Sequence, residues 1–215
     1  IWRPFWNKIL RGPLGPRIRS SLPHDIENLL IGEMTGGDRA LISSLEGFED
    51  LSLIGLLQLQ EHGIRQGDMV FAVTEGGETS SVIGAVLAAA AQYGTLTEAP
   101  LKKARENLYF ICNNPESALR PFQRSHSVFD HPAISHIDLT TGPQAITGST
   151  RMQATTSETF VLGIILEAGI ESCLSRILTS KELISIGFQP GRQPEERLKD
   201  FDLLHSAITA RLEDI

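Results

Sequence analysis

The sequence predicts an α/β fold built on a parallel sheet, on the strength of three observations. Two short β-rich apolar runs, "DMVFAVT" (68–74) and "NLYFICN" (107–113), flank the Ala-rich helical stretch "TSSVIGAVLAAAAQYG" (79–94). Strand, helix and strand in that order imply a parallel pair joined by a right-handed crossover. Glycine- and hydroxyl-rich loops stand directly ahead of predicted helices, where an open parallel sheet places its ligands, beyond the carboxyl ends of its strands.

The elements follow in order. Residues 1–27 open with "IWRPFWNKILRGPLGPRIRSSLPHD", in which Arg3, Lys8, Arg11, Arg17 and Arg19 meet no acid before Asp25, and Trp2, Phe5 and Trp6 are interleaved with the first of them. Such an arm could contact nucleic acid or an anionic lipid surface. The preferred reading is an irregular segment that packs its aromatics on a neighbour and keeps its charges wet, because Pro4, Pro13, Pro16 and Pro23 prevent one continuous amphipathic helix. In "DRALISSLEGFEDLSLIGLLQLQEHG" (38–63), Leu41, Leu45 and Phe48 have helical spacing. A second stripe runs through Leu53, Ile54, Leu56 and Leu57, with Gly47 as a break, so one long or two short helices are expected. "HPAISHIDLT" (131–140) is a third strand candidate. A helix runs from about Thr155 to Leu178, so apolar around 160–170 that a dimer or domain interface is expected to cover it. A Pro/Gly linker and a last amphipathic helix end the chain. The expected organisation is an arm over 1–27, a sheet domain over 28–180, and a linker with the final helix over 181–215.

Composition narrows the class. The 215 residues are 41% hydrophobic and 21% charged with a net charge of −7, which fits a globular protein and argues against nucleic acid as partner of the whole molecule. No apolar run approaches the roughly 20 residues of a membrane span, so no membrane partner is expected. Cys112 and Cys173 lie in apolar segments without paired spacing, which suggests neither a disulfide framework nor a zinc site and fits a cytoplasmic location. The chain begins with Ile and lacks signal-peptide order, as a processed form or a fragment would.

Three loops could carry chemistry. In "VTEGGETSS" (73–81), Gly76 and Gly77 let the backbone approach a ligand while Thr79, Ser80 and Ser81 offer hydroxyls at a helix start; a tight turn capped by Thr79 is the plain alternative. Glu75 and Glu78 would repel a phosphate there and suit sugar hydroxyls better. In "GPQAITGSTRMQATTSETFVL" (142–162), Thr147, Ser149, Thr150 and Arg151 bring hydroxyls, unpaired N–H groups and a guanidinium to one point, as anion binding requires. In "MTGGDRA" (34–40), Asp38 reads as a first-turn acid favoured by the helix dipole. For proton transfer the best candidates are Glu46, Glu49 and Asp50 of "LEGFED", which share a helix face where repulsion and partial burial could lift one pKa, although spacing alone favours a solvated acidic face. His126, His131 and His136 match no metal-ligand spacing, and no GxxxxGK[ST] or GxGxxG occurs, so neither metal nor organic cofactor is expected.

Taken in order, "MTGGDRALISSLEGFEDL", "GDMVFAVTEGGETSSVIGAVLAAAAQYG", "CNNP" and "GPQAITGSTRMQATTSETFVL" resemble the sugar isomerase (SIS) domain of the N-acetylmuramic acid 6-phosphate etherases and of the related glucokinase regulatory protein. The resemblance runs from residue 34 to residue 178. It implies a flavodoxin-like three-layer αβα sandwich that binds a phosphorylated amino sugar, in a homodimer or against a second SIS domain. The etherases cleave the lactyl ether by elimination and water addition, without a cofactor, using two glutamates. By resemblance, one of these falls on Glu46 as the base that takes the sugar C2 proton. The family's Ser-Gly-Arg-Thr loop falls on Gly76, Gly77, Glu78 and Thr79, next to Ser80, and its second phosphate loop falls on Gly148 to Met152, with Ser149, Thr150 and Arg151. The departures are Glu78 in place of an Arg, Gly76 in place of a Ser, and Gln153 in place of a Lys. The family's first strand with its Gly-Thr-Ser-Gly-Arg loop and the second glutamate would precede residue 30 and are not in this sequence. A non-catalytic sugar-phosphate sensor is therefore the alternative to the lyase, and an aldose-ketose isomerase keeps the fold without a motif of its own.

Overall fold

The computed structural model describes residues 2–37, 47, 50–95, 97–146, 148–149 and 152–212. Along the chain come helices α1 (Trp2–Arg11) and α2 (Gly15–Arg19), a 3-10 turn (Ile26–Asn28), α3 (Ser52–Glu61), strand β1 (Val70–Val73) and α4 (Ser80–Ala91). Helix α5 (Glu98–Asn107), β2 (Leu108–Cys112), α6 (Glu116–Leu119), α7 (Gln123–Phe129) and β3 (Ser135–Asp138) follow, then α8 (Gln153–Ser175), α9 (Ser180–Ser185) and α10 (Pro194–Leu212). Residues 33–159 form one compact unit, and residues 1–32 with 160–215 form another.

The first of these units is α/β, with a parallel sheet in the order β1-β2-β3, consistent with the expected three-layer arrangement. Val70 to Val73 lie opposite Leu108 to Ile111, and Tyr109 to Cys112 opposite Ser135 to Asp138. The period of two along each strand sends Leu108, Phe110, Cys112 and Ala72 to one face. There they form a core with Ile83, Val86, Ala89 and Ala90 of α4 and with Val128 and Phe129 of α7. On the other face Phe71 stacks on Tyr109 at 5.1 Å between ring centres, and Ile111 is fully buried. Small residues let α3 meet α4 backbone to backbone: a Cβ on Gly55 would stand 1.8 Å from Ser81 O, and one on Gly84 2.1 Å from Ser52 O.

The second unit is helical. Trp6, Ile18 and Leu174 have no exposed surface and are joined by Ile9, Leu10, Ile26, Ile170, Leu178, Leu183 and Phe188. Trp2, Trp6, Phe5 and Phe188 continue edge to face in a chain of ring contacts. Arg17 pairs with Glu182 at 2.5 Å, and Thr179 with Glu182 forms a reciprocal cap on α9. Arg197 is 6% exposed and pairs with Glu167 and Glu171.

The opening segment departs from the irregular arm expected. It does pack its aromatics, but as helices: Pro4 sits in the first turn of α1, where no intrahelical N–H is needed, Pro13 separates α1 from α2, and Pro16 starts α2. The prolines divide the arm without unwinding it. Among the described residues no helix is long and apolar enough to cross a membrane.

Candidate functional site at the carboxyl ends of the strands

The turn from β1 into α4 is held open by a left-handed glycine. Gly77 has φ 82°, which calls for glycine; a Cβ there would also stand 2.4 Å from Leu119 Cδ1, so the end of that side chain would have to shift. Its polar groups are bound to neighbouring loops. Gly77 O accepts from Ser125 Oγ at 3.0 Å, and Gly76 O from Asn114 Nδ2 at 3.0 Å. Glu78 accepts from the Ser125 N–H at 3.0 Å and faces Arg124 Nε at 3.6 Å. Arg124 also donates to Ser80 Oγ at 2.7 Å and reaches Asp50 at 3.3 Å. Thr79 and Thr74 share a hydrogen bond of 2.8 Å, and Thr79 does not cap α4 with its side chain. The Gly-Gly segment before residue 38 comes to the same place, since Thr35 Oγ1 and Ser81 Oγ are 2.8 Å apart.

The beginning of α8 docks on the same ends of all three strands. Thr155 Oγ1 donates to Glu75 Oε1 in the loop after β1. Asn113, just past β2, donates its amide to Ser157 Oγ at 2.7 Å and to Leu139 O, just past β3, at 2.9 Å. Gln153 staples the incoming loop, accepting from the Ala145 N–H at 3.1 Å and donating to Pro143 O at 2.8 Å. Gly148 takes φ 80°, and Ser149 N–H donates to Ile146 O at 3.0 Å.

A carboxyl pair lies at the centre of this docking. Glu158 is 7% exposed; burial first, then the charge of Glu75, pushes its carboxyl up to about 7. The Cys112 thiol is pushed up to about 11, mainly by burial, with Asp138, Glu158 and Glu116 adding to the effect and a hydrogen bond to Asn114 opposing it. At neutral pH the rim thus contains a carboxyl able to hold or release a proton, beside polar groups fixed by three loops.

The structure gathers Gly76, Gly77, Glu78, Thr79 and Ser80 in the turn after β1, next to Glu75, on which Thr155 of α8 docks; Ser149 stands four residues ahead of α8 with its N–H bound to Ile146 O. Glu78 is engaged by Arg124 and the start of α7. Glu46, Glu49, Asp38, Thr147, Thr150 and Arg151 lie outside the described residues. Glu158 and Arg124 were missed in the sequence. Arg124 carries no motif, whereas Glu158 was detectable as an acid one helical turn after Ala154 on the otherwise apolar inward face of α8.

The polar cluster lies beyond the carboxyl ends of the strands, the place where parallel α/β folds in general bind small ligands. No protein-family model matches the chain. An N-acetylmuramic acid 6-phosphate etherase of Porphyromonas gingivalis is 33% identical over 157 residues, 72% of this chain and 49% of the relative. One of Bacteroides fragilis is 32% identical over 157 residues, 72% of this chain and 48% of the relative. One of Erwinia tasmaniensis is 35% identical over 144 residues, 67% and 39% respectively. These similarities support the etherase family for this chain, which spans about half or less of the length of the curated relatives it matches.

Proposed function

We propose that the sheet unit binds a phosphorylated amino sugar at the carboxyl rim and serves an etherase-type elimination. The observation that supports this reading is the docking of α8 by Thr155 onto Glu75, which directly precedes Gly76 and Gly77, and by Ser157 onto Asn113. Ser149, Thr150 and Arg151 would hold the phosphate, and the turn through Gly76, Gly77, Glu78, Thr79 and Ser80 would hold the sugar. Glu46 would take the C2 proton; the electron pair forms the C2–C3 double bond as the lactyl oxygen leaves, and water adds afterwards. No metal or organic cofactor enters this scheme. Its setting is cytoplasmic, with a homodimer or a second SIS domain completing the site.

Incubation with N-acetylmuramic acid 6-phosphate tests the proposal. Release of D-lactate that falls by about a hundredfold or more in Glu46→Gln supports the lyase, and release unchanged by that substitution contradicts the role of Glu46. One observation favours the sensor as the second reading: Glu78 stands where the etherase loop has an Arg, and it is already paired with Arg124. Saturable phosphosugar binding without lactate release would select that reading.

A further inference from the structure

Three buried side-chain oxygens of the sheet unit have no hydrogen-bond partner among the described residues: Gln144 Oε1 in the loop before α8 and, at the strand ends, Asn113 Oδ1 and Glu158 Oε1, the two considered next. Both residues are more than nine-tenths buried, at 4% and 7% exposure. The amide of Asn113 is already committed to Leu139 O and Ser157 Oγ, which fixes where its carbonyl points. Glu158 follows Ser157 on α8 and acts electrostatically on Cys112, the chain neighbour of Asn113, so both acceptors lie where α8 meets the end of β2. Buried acceptors without a donor are costly and uncommon, and a pair of them marks a place where something else supplies the donor.

The charges around this corner restrict what that is. Glu75, from the loop after β1, is the charged group that acts on Glu158, while Thr155 and Ser157 on its own helix are neutral. Cys112, on β2, feels Glu158 together with Asp138 and Glu116. An anion brings acceptors only, and would meet carboxyl groups here. A sugar hydroxyl or an amide N–H brings the missing donor.

We propose that Asn113 and Glu158 form a subsite for the uncharged, donor-bearing face of a sugar, its hydroxyls or N-acetyl N–H, and that the phosphate is held elsewhere on the rim. This deepens the phosphosugar reading and rests on it. While protonated, Glu158 offers a hydroxyl both a donor and an acceptor; once ionised beside Glu75 it offers acceptors only, so the subsite weakens as pH rises.

Calorimetric titration with N-acetylglucosamine 6-phosphate and with N-acetylglucosamine, at pH 6 and pH 8, tests this on the chain and on its Glu158→Gln and Glu158→Met variants. N-acetylglucosamine has no group that titrates in this range. The chain is expected to bind it about threefold or more tightly at pH 6 than at pH 8, Glu158→Gln to differ by less than about twofold, and Glu158→Met to bind about tenfold more weakly at both. Should the Met variant not fold, the Gln comparison decides. Equal affinities and pH responses in all folded proteins overturn the subsite. Glu158-dependent binding of N-acetylglucosamine that the phosphate does not strengthen overturns the phosphosugar reading and leaves the subsite standing. Binding of neither sugar overturns both.

Discussion

Glu158 concentrates the chemistry of the rim in one side chain. Its folded-state pKa of about 7 lies above the ordinary carboxylate value of 4.5. The folded protein therefore holds this proton more tightly than the unfolded chain does. The resulting penalty is absent below pH 4.5, grows through the interval and is complete above about 7. Glu158→Gln is expected to gain stability relative to the parent over that interval, on the order of 2–3 kcal/mol at its upper end. Thermal unfolding at a series of pH values checks it, and parallel curves would refute the buried-carboxyl account. Glu182 has the opposite sign. The backbone N–H of Thr179, and then Arg17, hold its carboxyl down to about 2, so its contribution is present above pH 4.5 and lost as pH falls toward 2. Glu182→Gln is expected to flatten the acid limb of the unfolding profile, and an unchanged limb would rule out that contribution.

At the scale of elements, two contacts set where the site stands. The first is the crossing of α3 and α4, where Gly55 leaves its neighbour's backbone no room for a methyl group. Gly55→Ala is expected to destabilise the protein by about 1–3 kcal/mol or more by forcing these helices apart; denaturant unfolding measures it, and a loss below about 0.5 kcal/mol would show that the crossing yields. The second is the docking of α8 on the strand ends. The strands were legible in the sequence because β-branched and aromatic residues cluster in "DMVFAVT" and "NLYFICN", and α4 because its alanines sit between a Thr/Ser start and Gly94. Helix α5 has Pro100 and a largely polar composition, and α6 and α7 are short, so local pattern did not mark them. The arm is helical despite its prolines because Pro4 and Pro16 fall in first turns, where no intrahelical N–H is required, a matter of position that proline content does not convey. In the site, glycines and hydroxyls showed which loops matter, but the pairing of Glu78 with Arg124, or of Asn113 with Ser157, spans 44 or more positions of chain and cannot be read from local pattern.

For the molecule as a whole, a helical unit accompanies the sheet unit, and its most demanding feature is Arg197 between Glu167 and Glu171. Removing the guanidinium leaves a nearly buried Glu171 without its cation. Arg197→Met is expected to cost about 3–5 kcal/mol, and Glu167→Gln with Glu171→Gln in the same chain should recover part of it; absence of recovery would contradict the charge-pairing account. The chain covers at most about half of the etherases it resembles, and among the described residues β1 stands at an edge of its sheet. Catalysis is thus a proposal for the whole protein, whereas ligand binding at the rim can be tested on this chain. The most direct test is amide-resolved NMR titration with N-acetylglucosamine 6-phosphate. Saturable shifts grouped at residues 74–81, 113 and 148–158 are the predicted result. Shifts grouped instead around His131 and His136, or no saturable shifts, would contradict it.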